Sequence, residues 1–214
     1  MNPTKETYAE LQMAYDWFNE TLFDNQLPQC LIVLIKKGIA VIGYFHAEQF
    51  ANSENKIADE IAMNPDYIAV RTVQDTLSTL VHEMAHLWQH HYGSPGRGRY
   101  HNKEWGRKMK EIGLHPSHTG KIGGKETGDR VSHYIIEGGL FEDHCAALLA
   151  KDFALSWHKR FPNVLRSSQP LINGQPHKTL RTTRHKFVCR GCGASAWGKP
   201  SLKILCGTCK EEMS

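Results

Sequence analysis

Two sets of residues in this sequence have the types and spacing of metal ligands. The first is His82-Glu83-Met84-Ala85-His86. On a helix, side chains four positions apart leave the same face about 6 Å apart along the axis, so both imidazoles can converge on one ion while the glutamate stands beside it without ligating it. From there a carboxylate takes a proton from water activated at the ion and delivers it to a leaving amine, which is the chemistry of zinc-dependent peptide hydrolysis. The second set is Cys189-x-x-Cys192 and Cys206-x-x-Cys209, separated by 13 residues, the spacing of a four-cysteine zinc ribbon. Glycine in each turn allows the tight backbone of a zinc knuckle, and four thiolates would close off the ion and make it structural. A redox role fits less well, because the two pairs explain each other and nothing near them resembles a thioredoxin unit.

Catalytic zinc takes three protein ligands and leaves a fourth position for water. His90 lies eight residues from His82, about 12 Å along a helix, too far to share one ion with it. His91 points to another face. The pattern His-Glu-x-x-His-x-x-Gly-x-x-His is absent, because Gln89 and Tyr92 occupy its glycine and third histidine positions. Two candidates remain: His101, which opens the next helix after a glycine-containing loop, and Glu104, one turn later, where a third carboxylate ligand would stand. Spacing leaves both open, beside the readings of a loop histidine and of a solvated glutamate favoured by the helix dipole.

The elements that must position these residues are legible from periodicity. Val73, Leu77, Leu80, Met84, Leu87 and Trp88 form one helical stripe, with Thr72 and Asp75 as capping partners, and this predicts a helix from Thr72 to His90 or His91. With Val73 at zero, the stripe centres near roughly 10° while His82 and His86 fall at about 180° and 220°, away from the packing face. A second helix is predicted over Asn102 to Ile112. Leu11, Ala14, Tyr15, Phe18 and Leu22 predict an N-terminal helix starting at Thr4 or Thr7, with a Thr7/Glu10 capping box, and ending near Asn25. CLIVLI and AVIGYF read as strands separated by a Lys36-Lys37-Gly38 turn, and Lys56 to Met63 as a third. Residues 113–143 hold seven glycines and read as loop with at most one strand around HYII. A last helix is predicted over Phe141 to Trp157.

The stretches TLVHEMAH and RGRYHNKEW resemble the SprT-like metalloproteases, including the Spartan type, as do LFDNQLP, EIAMNP and the terminal cysteines. The resemblance covers most of the chain. It implies an α+β zincin-like core, with N-terminal helix, small three-stranded sheet and HExxH helix, followed by a small four-cysteine zinc ribbon. It makes His101 the third zinc ligand with His82 and His86, leaves Glu104 outside the metal shell, and keeps Glu83 as the base. The glycine-rich block is longer than a minimal core of this family requires, as in bacterial and phage members. It suggests a rim or lid from which His133 or Tyr134 would donate to an oxyanion, against the simpler reading of a surface histidine and a packed aromatic.

Composition and charge bound the rest. With 40% hydrophobic and 22% charged residues the chain reads as globular and soluble, and the start MNPTKETYAE has no apolar run of the signal type, so a cytoplasmic protein is expected. Four cysteines in pairs suit a reducing compartment, leaving Cys30 and Cys145 as packing residues. Residues 1–155 carry 15 basic against 20 acidic residues, and residues 156–214 carry 11 against 2. Arg184, Lys186, Arg190, Lys199 and Lys203 interleave with Phe187 and Trp197, a pattern suited to phosphates and unpaired bases, although either aromatic would also serve as ribbon core. The expected organisation is a protease domain over 1–160, a linker over 161–186 and a ribbon over 187–214. The expected cofactors are one catalytic and one structural zinc, and the expected partners DNA of single-stranded character and, by the resemblance, proteins bound or crosslinked to it. A non-catalytic zinc-containing DNA-binding protein, and a peptidase using Glu104 as third ligand, stand as alternatives.

Overall fold

The computed structural model describes residues 1–35, 41–162 and 185–214. The chain divides into two compact units, Met1–Ser168 and Gln169–Ser214. The predicted Lys36-Lys37-Gly38 turn, most of the predicted linker and Arg184 lie outside the described residues.

The first unit opens with helix α1, Pro3–Leu22. Its cap is Asn2, whose side chain accepts from the Lys5 N–H, while Glu6 Oε1 accepts from the Asn2 N–H. The expected Thr7 cap is therefore displaced: Pro3 fits the first helical position, where no N–H is needed, and Thr7 turns its hydroxyl back onto the Pro3 carbonyl. Leu11, Ala14, Tyr15, Phe18 and Leu22 are buried along one face.

Three strands follow: β1 (Leu31–Leu34), β2 (Gly43–Ala51) and β3 (Ile57–Met63). Their order is β1-β3-β2, with β3 parallel to β1 and antiparallel to β2. The second strand begins at Gly43 and runs past the predicted AVIGYF segment to Ala51, interrupted by a register shift between His46 and Phe50. Within that bulge Glu48 has a positive φ of 54°, and its N–H is held by Asp59 Oδ1 at 2.8 Å.

A short helix, α2 (Pro65–Ile68), leads to α3, Val73–Tyr92, capped by Thr72 accepting from the Asp75 N–H. Leu77, Leu80, Met84 and Leu87 join α1 and the sheet in the core, worth about 2 kcal/mol or more for each such side chain removed from water. The opposite side of α3 is covered as well, by α4 (Lys103–Glu111, capped by Asn102) and by a hairpin of β4 (Leu114–Ser117) and β5 (Ser132–Ile135). Only β5 is foreseen from the sequence; β4 contains Pro116, which the ladder admits in this two-stranded sheet, where each strand is an edge. The last helix of this unit, α5, spans Leu140–Leu149 and ends short of the predicted Trp157. Asp152 at φ 58° breaks it, and Ser156 and Trp157 instead bond Glu10 and Glu6 of α1. Cys145 is buried in the core and Cys30 packs against it.

The second unit pairs β6 (His185–Val188) with β7 (Ser195–Gly198). Its small core is Phe187, Cys189, Cys206 and Met213. Among the described residues, no helix is long and apolar enough to cross a membrane.

Candidate metal centre

The HExxH spacing brings His82 and His86 to one side of α3, with ring centroids 5.2 Å apart. The chain returns to them through the loop 93–102, which is tied at both ends. Gln89, only 3% exposed, donates to Asn102 Oδ1 at 2.8 Å and to Glu104 Oε2 at 2.7 Å. The same Glu104 oxygen accepts the Ser94 N–H at 2.6 Å, and Asn102 Nδ2 donates to the Ser94 carbonyl. This buckle delivers His101, whose Nε2 lies 3.1 Å from His86 Nε2. His82, His86 and His101 can thus each present one ring nitrogen within 4.8 Å of the others. Glu104 is occupied by the loop.

Trp105, fully buried, forms the floor, stacked on His86 at 5.0 Å and edge-on to His101 at 4.5 Å. Burial in this pocket drives the imidazoles toward their neutral, ligating form: it is the largest cause of the fall of His82 well below the usual range, of His86 to about 3, and of the lowered value of His101. Burial also raises Glu83 to about 8. A dication beside it would pull that value back down. The approach of β2 to Glu83 depends on Gly43, where a Cβ would lie 3.1 Å from Glu83 Oε1 and 3.0 Å from Thr79 Cγ2. Neither Gln89 nor Gly43 is a candidate on sequence grounds, because their partners lie far along the chain.

The glycine-rich segment supplies the outer contacts. Gly128, with φ 137°, accepts at its carbonyl from both the His101 backbone N–H at 2.9 Å and His101 Nδ1 at 3.0 Å. His133 Nδ1 lies 3.0 Å from His82 Nδ1, and its Nε2 is 2.9 Å from Ser78 Oγ. The hydroxyl of Ser78 in turn donates to the Asp75 carbonyl. One proton arrangement satisfies every member: His82 Nδ1–H donates to His133, and His133 Nε2–H to Ser78, leaving Nε2 of His82 for an ion. Burial holds His133 neutral, at about 4. Both of its nitrogens are engaged, while the ring of Tyr134 stacks on His115 at 4.8 Å and 10°.

Three imidazoles, with Nδ1 of two already bonded to protein, form a donor set suited to zinc with an open position. A cleft of ≈ 410 Å³ is bordered by His86, His90, Phe45, His46, Arg99 and Tyr100.

The C-terminal cysteines Cys189, Cys192, Cys206 and Cys209 likewise present four sulfurs within 4.8 Å of one another, with Cys192 Sγ 3.5 Å from Cys206 Sγ. The Cys209 N–H points at Cys206 Sγ and is the first cause of the fall of that thiol to about 6. Such a donor set fits a closed tetrathiolate zinc site. Phe187, at 6% exposure, belongs to the ribbon's core, so it lacks the open face that base stacking needs. Trp197 is 64% exposed, with Lys186 Nζ 6.0 Å from its ring centroid. Lys186, Arg190, Lys199 and Lys203 are all exposed.

No solved structure matches the chain. Over 53 residues it is 51% identical to a protein of Salmonella typhimurium described as "Uncharacterized protein in mucB 3'region", a match covering 25% of this chain and 70% of that one. The SprT-like family profile matches residues 11–122, more than half of the chain and a span that includes all three clustered imidazoles. By that match the chain belongs to the SprT-like family, a family associated with zinc metallopeptidase activity.

Proposed function

We propose that this chain is a zinc-dependent endopeptidase acting on DNA-associated or DNA-crosslinked proteins, with its first unit as protease and its ribbon as the DNA-binding module. The observation that carries the catalytic part is the convergence of His82, His86 and His101 beside a buried Glu83. The three imidazoles would hold the ion, and zinc, when bound, supplies Lewis-acid polarisation of a carbonyl and acidifies water. Glu83 takes the proton from the attacking water and returns it to the departing amine nitrogen, a role suited to a buried carboxylate standing beside the three imidazoles without joining them. Gly43 leaves room for that carboxylate, and Trp105 excludes water from beneath the imidazoles. Gly128 and His133 orient His101 and His82 from outside.

In the ribbon, four thiolates would hold a structural zinc, and exposed Lys186, Arg190, Lys199 and Lys203 would follow phosphates while Trp197 stacks on an unpaired base. Tethering raises the local concentration of protein substrates carried on the same strand. Wild type and Glu83→Gln are compared on a protein crosslinked to single-stranded DNA, with zinc content measured on both. Cleavage by wild type alone, at equal zinc content, is expected; equal behaviour of the two would support the non-catalytic alternative.

A further inference from the structure

A third group of ligand-type side chains lies at the far end of the HExxH helix, and the protease reading does not use it. Asp59, His90 and His91 each offer one donor atom, all within 4.8 Å of one another. Asp59 sits on β3, 5% exposed, and is held in place by the bulge of β2: Oδ1 accepts the Glu48 N–H at 2.8 Å, leaving Oδ2 to meet His91 Nε2 at 2.7 Å. His90 adds a second imidazole, its ring edge-on to that of His91 at 4.8 Å, while its other neighbour is the Phe45 ring at 6.0 Å.

We propose that Asp59, His90 and His91 form a second binding site for a borderline divalent transition ion of the Zn²⁺ or Ni²⁺ class. Two imidazoles and one carboxylate select such ions over Mg²⁺ or Ca²⁺, which take oxygen ligands. An ion about 2.1 Å from each donor sets the donors roughly 3 to 3.5 Å apart, so Asp59 and His91 need separate by only a few tenths of an ångström as their hydrogen bond gives way to a shared ion. The carboxylate is already aimed by the Glu48 N–H, the kind of outer contact that metal ligands carry. The last carbonyls of a 20-residue helix end here, at His90–Tyr92, and their partial negative charge favours a cation. An isolated ion pair of His91 with Asp59 would leave His90 without a part in the arrangement.

The location gives the site a consequence. His90 and His86 border the same cleft, one helical turn apart, so the proposed ion would fix a side chain of the wall that also carries one of the three clustered imidazoles.

The test is zinc binding by the full-length chain. Wild type, His90→Gln, His91→Gln and Asp59→Asn are stripped of loosely held metal, titrated with zinc sulfate by calorimetry, and analysed for zinc after gel filtration. His158→Gln, an exposed histidine outside the group, serves as control. Wild type and the control are expected to bind one more zinc per chain than any of the three variants, or to bind it at least tenfold more tightly. Should Asp59→Asn lose its fold by circular dichroism, the two histidine variants, whose rings are only partly covered, decide. Identical isotherms in wild type, His90→Gln and His91→Gln would overturn the proposal, as would an equal loss in His158→Gln. The readout does not depend on proteolysis, so the site can stand or fall apart from the catalytic reading.

Discussion

His82 Nδ1 meets His133 Nδ1 at 3.0 Å, so one imidazole of the HExxH pair is oriented by another neutral imidazole instead of by a carboxylate. His133→Ala is expected to weaken zinc binding at the three-histidine site by about 10- to 100-fold, measured by competition with a chelator of known affinity. His133→Gln, which keeps an acceptor, should recover part of the loss. Equal affinity in wild type and the alanine variant would reduce His133 to a packing residue.

Glu104 and His101 should separate cleanly in metal analysis. Because Glu104 Oε2 is spent on Ser94 and Gln89, Glu104→Gln should retain the ion that His101→Ala loses.

The same glutamate gives a pH signature. The Ser94 N–H, followed by Gln89, lowers its folded pKa below the ordinary value of 4.5. Its stabilisation is thus fully present above the unfolded pKa and fades as pH falls through the folded one. Thermal midpoints of wild type should exceed those of Glu104→Gln by a few degrees at neutral pH, and the gap should narrow as pH falls below the ordinary value of 4.5. A gap that widens in acid would contradict the assignment.

Gly43→Ala places a methyl 3.1 Å from Glu83 Oε1. Peptide cleavage is expected to fall by about tenfold or more, since small displacements of a catalytic group are costly, while zinc content stays unchanged. Loss of zinc in parallel would locate the damage in the imidazoles instead.

In the ribbon the two aromatics should behave oppositely. On the DNA-binding role proposed above, Trp197→Ala should weaken single-stranded DNA binding by about 1–3 kcal/mol with little change in the stability of the second unit, measured by fluorescence anisotropy and by thermal release of zinc. Phe187→Ala should cost roughly 3–5 kcal/mol of stability, because its ring is core.

The parts of this molecule that local pattern controls were readable in advance. Thr72 and Asp75 set the start of the HExxH helix, Asn102 opened the next one, and two Cys-x-x-Cys pairs announced the clustered sulfurs. The helical wheel set His82 and His86 opposite the packing stripe, and they are so placed, but a second layer of α4 and the β4–β5 hairpin covers that side too, burying His82 and leaving His86 half-buried. Its helix and one of its strands were legible, but their packing on α3 was not, because the contacts span long separations: Ser78 to His133, Gln89 to Glu104, His101 to Gly128. Glycines at 113, 120, 123, 124 and 128 read locally as loop, whereas several of them shape the hairpin and its bridge to His101. Helix ends failed where a neighbour intervened, as when Glu10 and Glu6 captured Ser156 and Trp157 away from α5.

The hairpin also bears on biosynthesis. All three imidazoles have been translated by residue 101, yet the group that steers His82 arrives 32 positions later, at residue 133. A nascent chain leaving the ribosome therefore carries its histidines loosely arranged until the hairpin closes. The contact that steers His82 can form only once residue 133 has been made, well after the three histidines themselves.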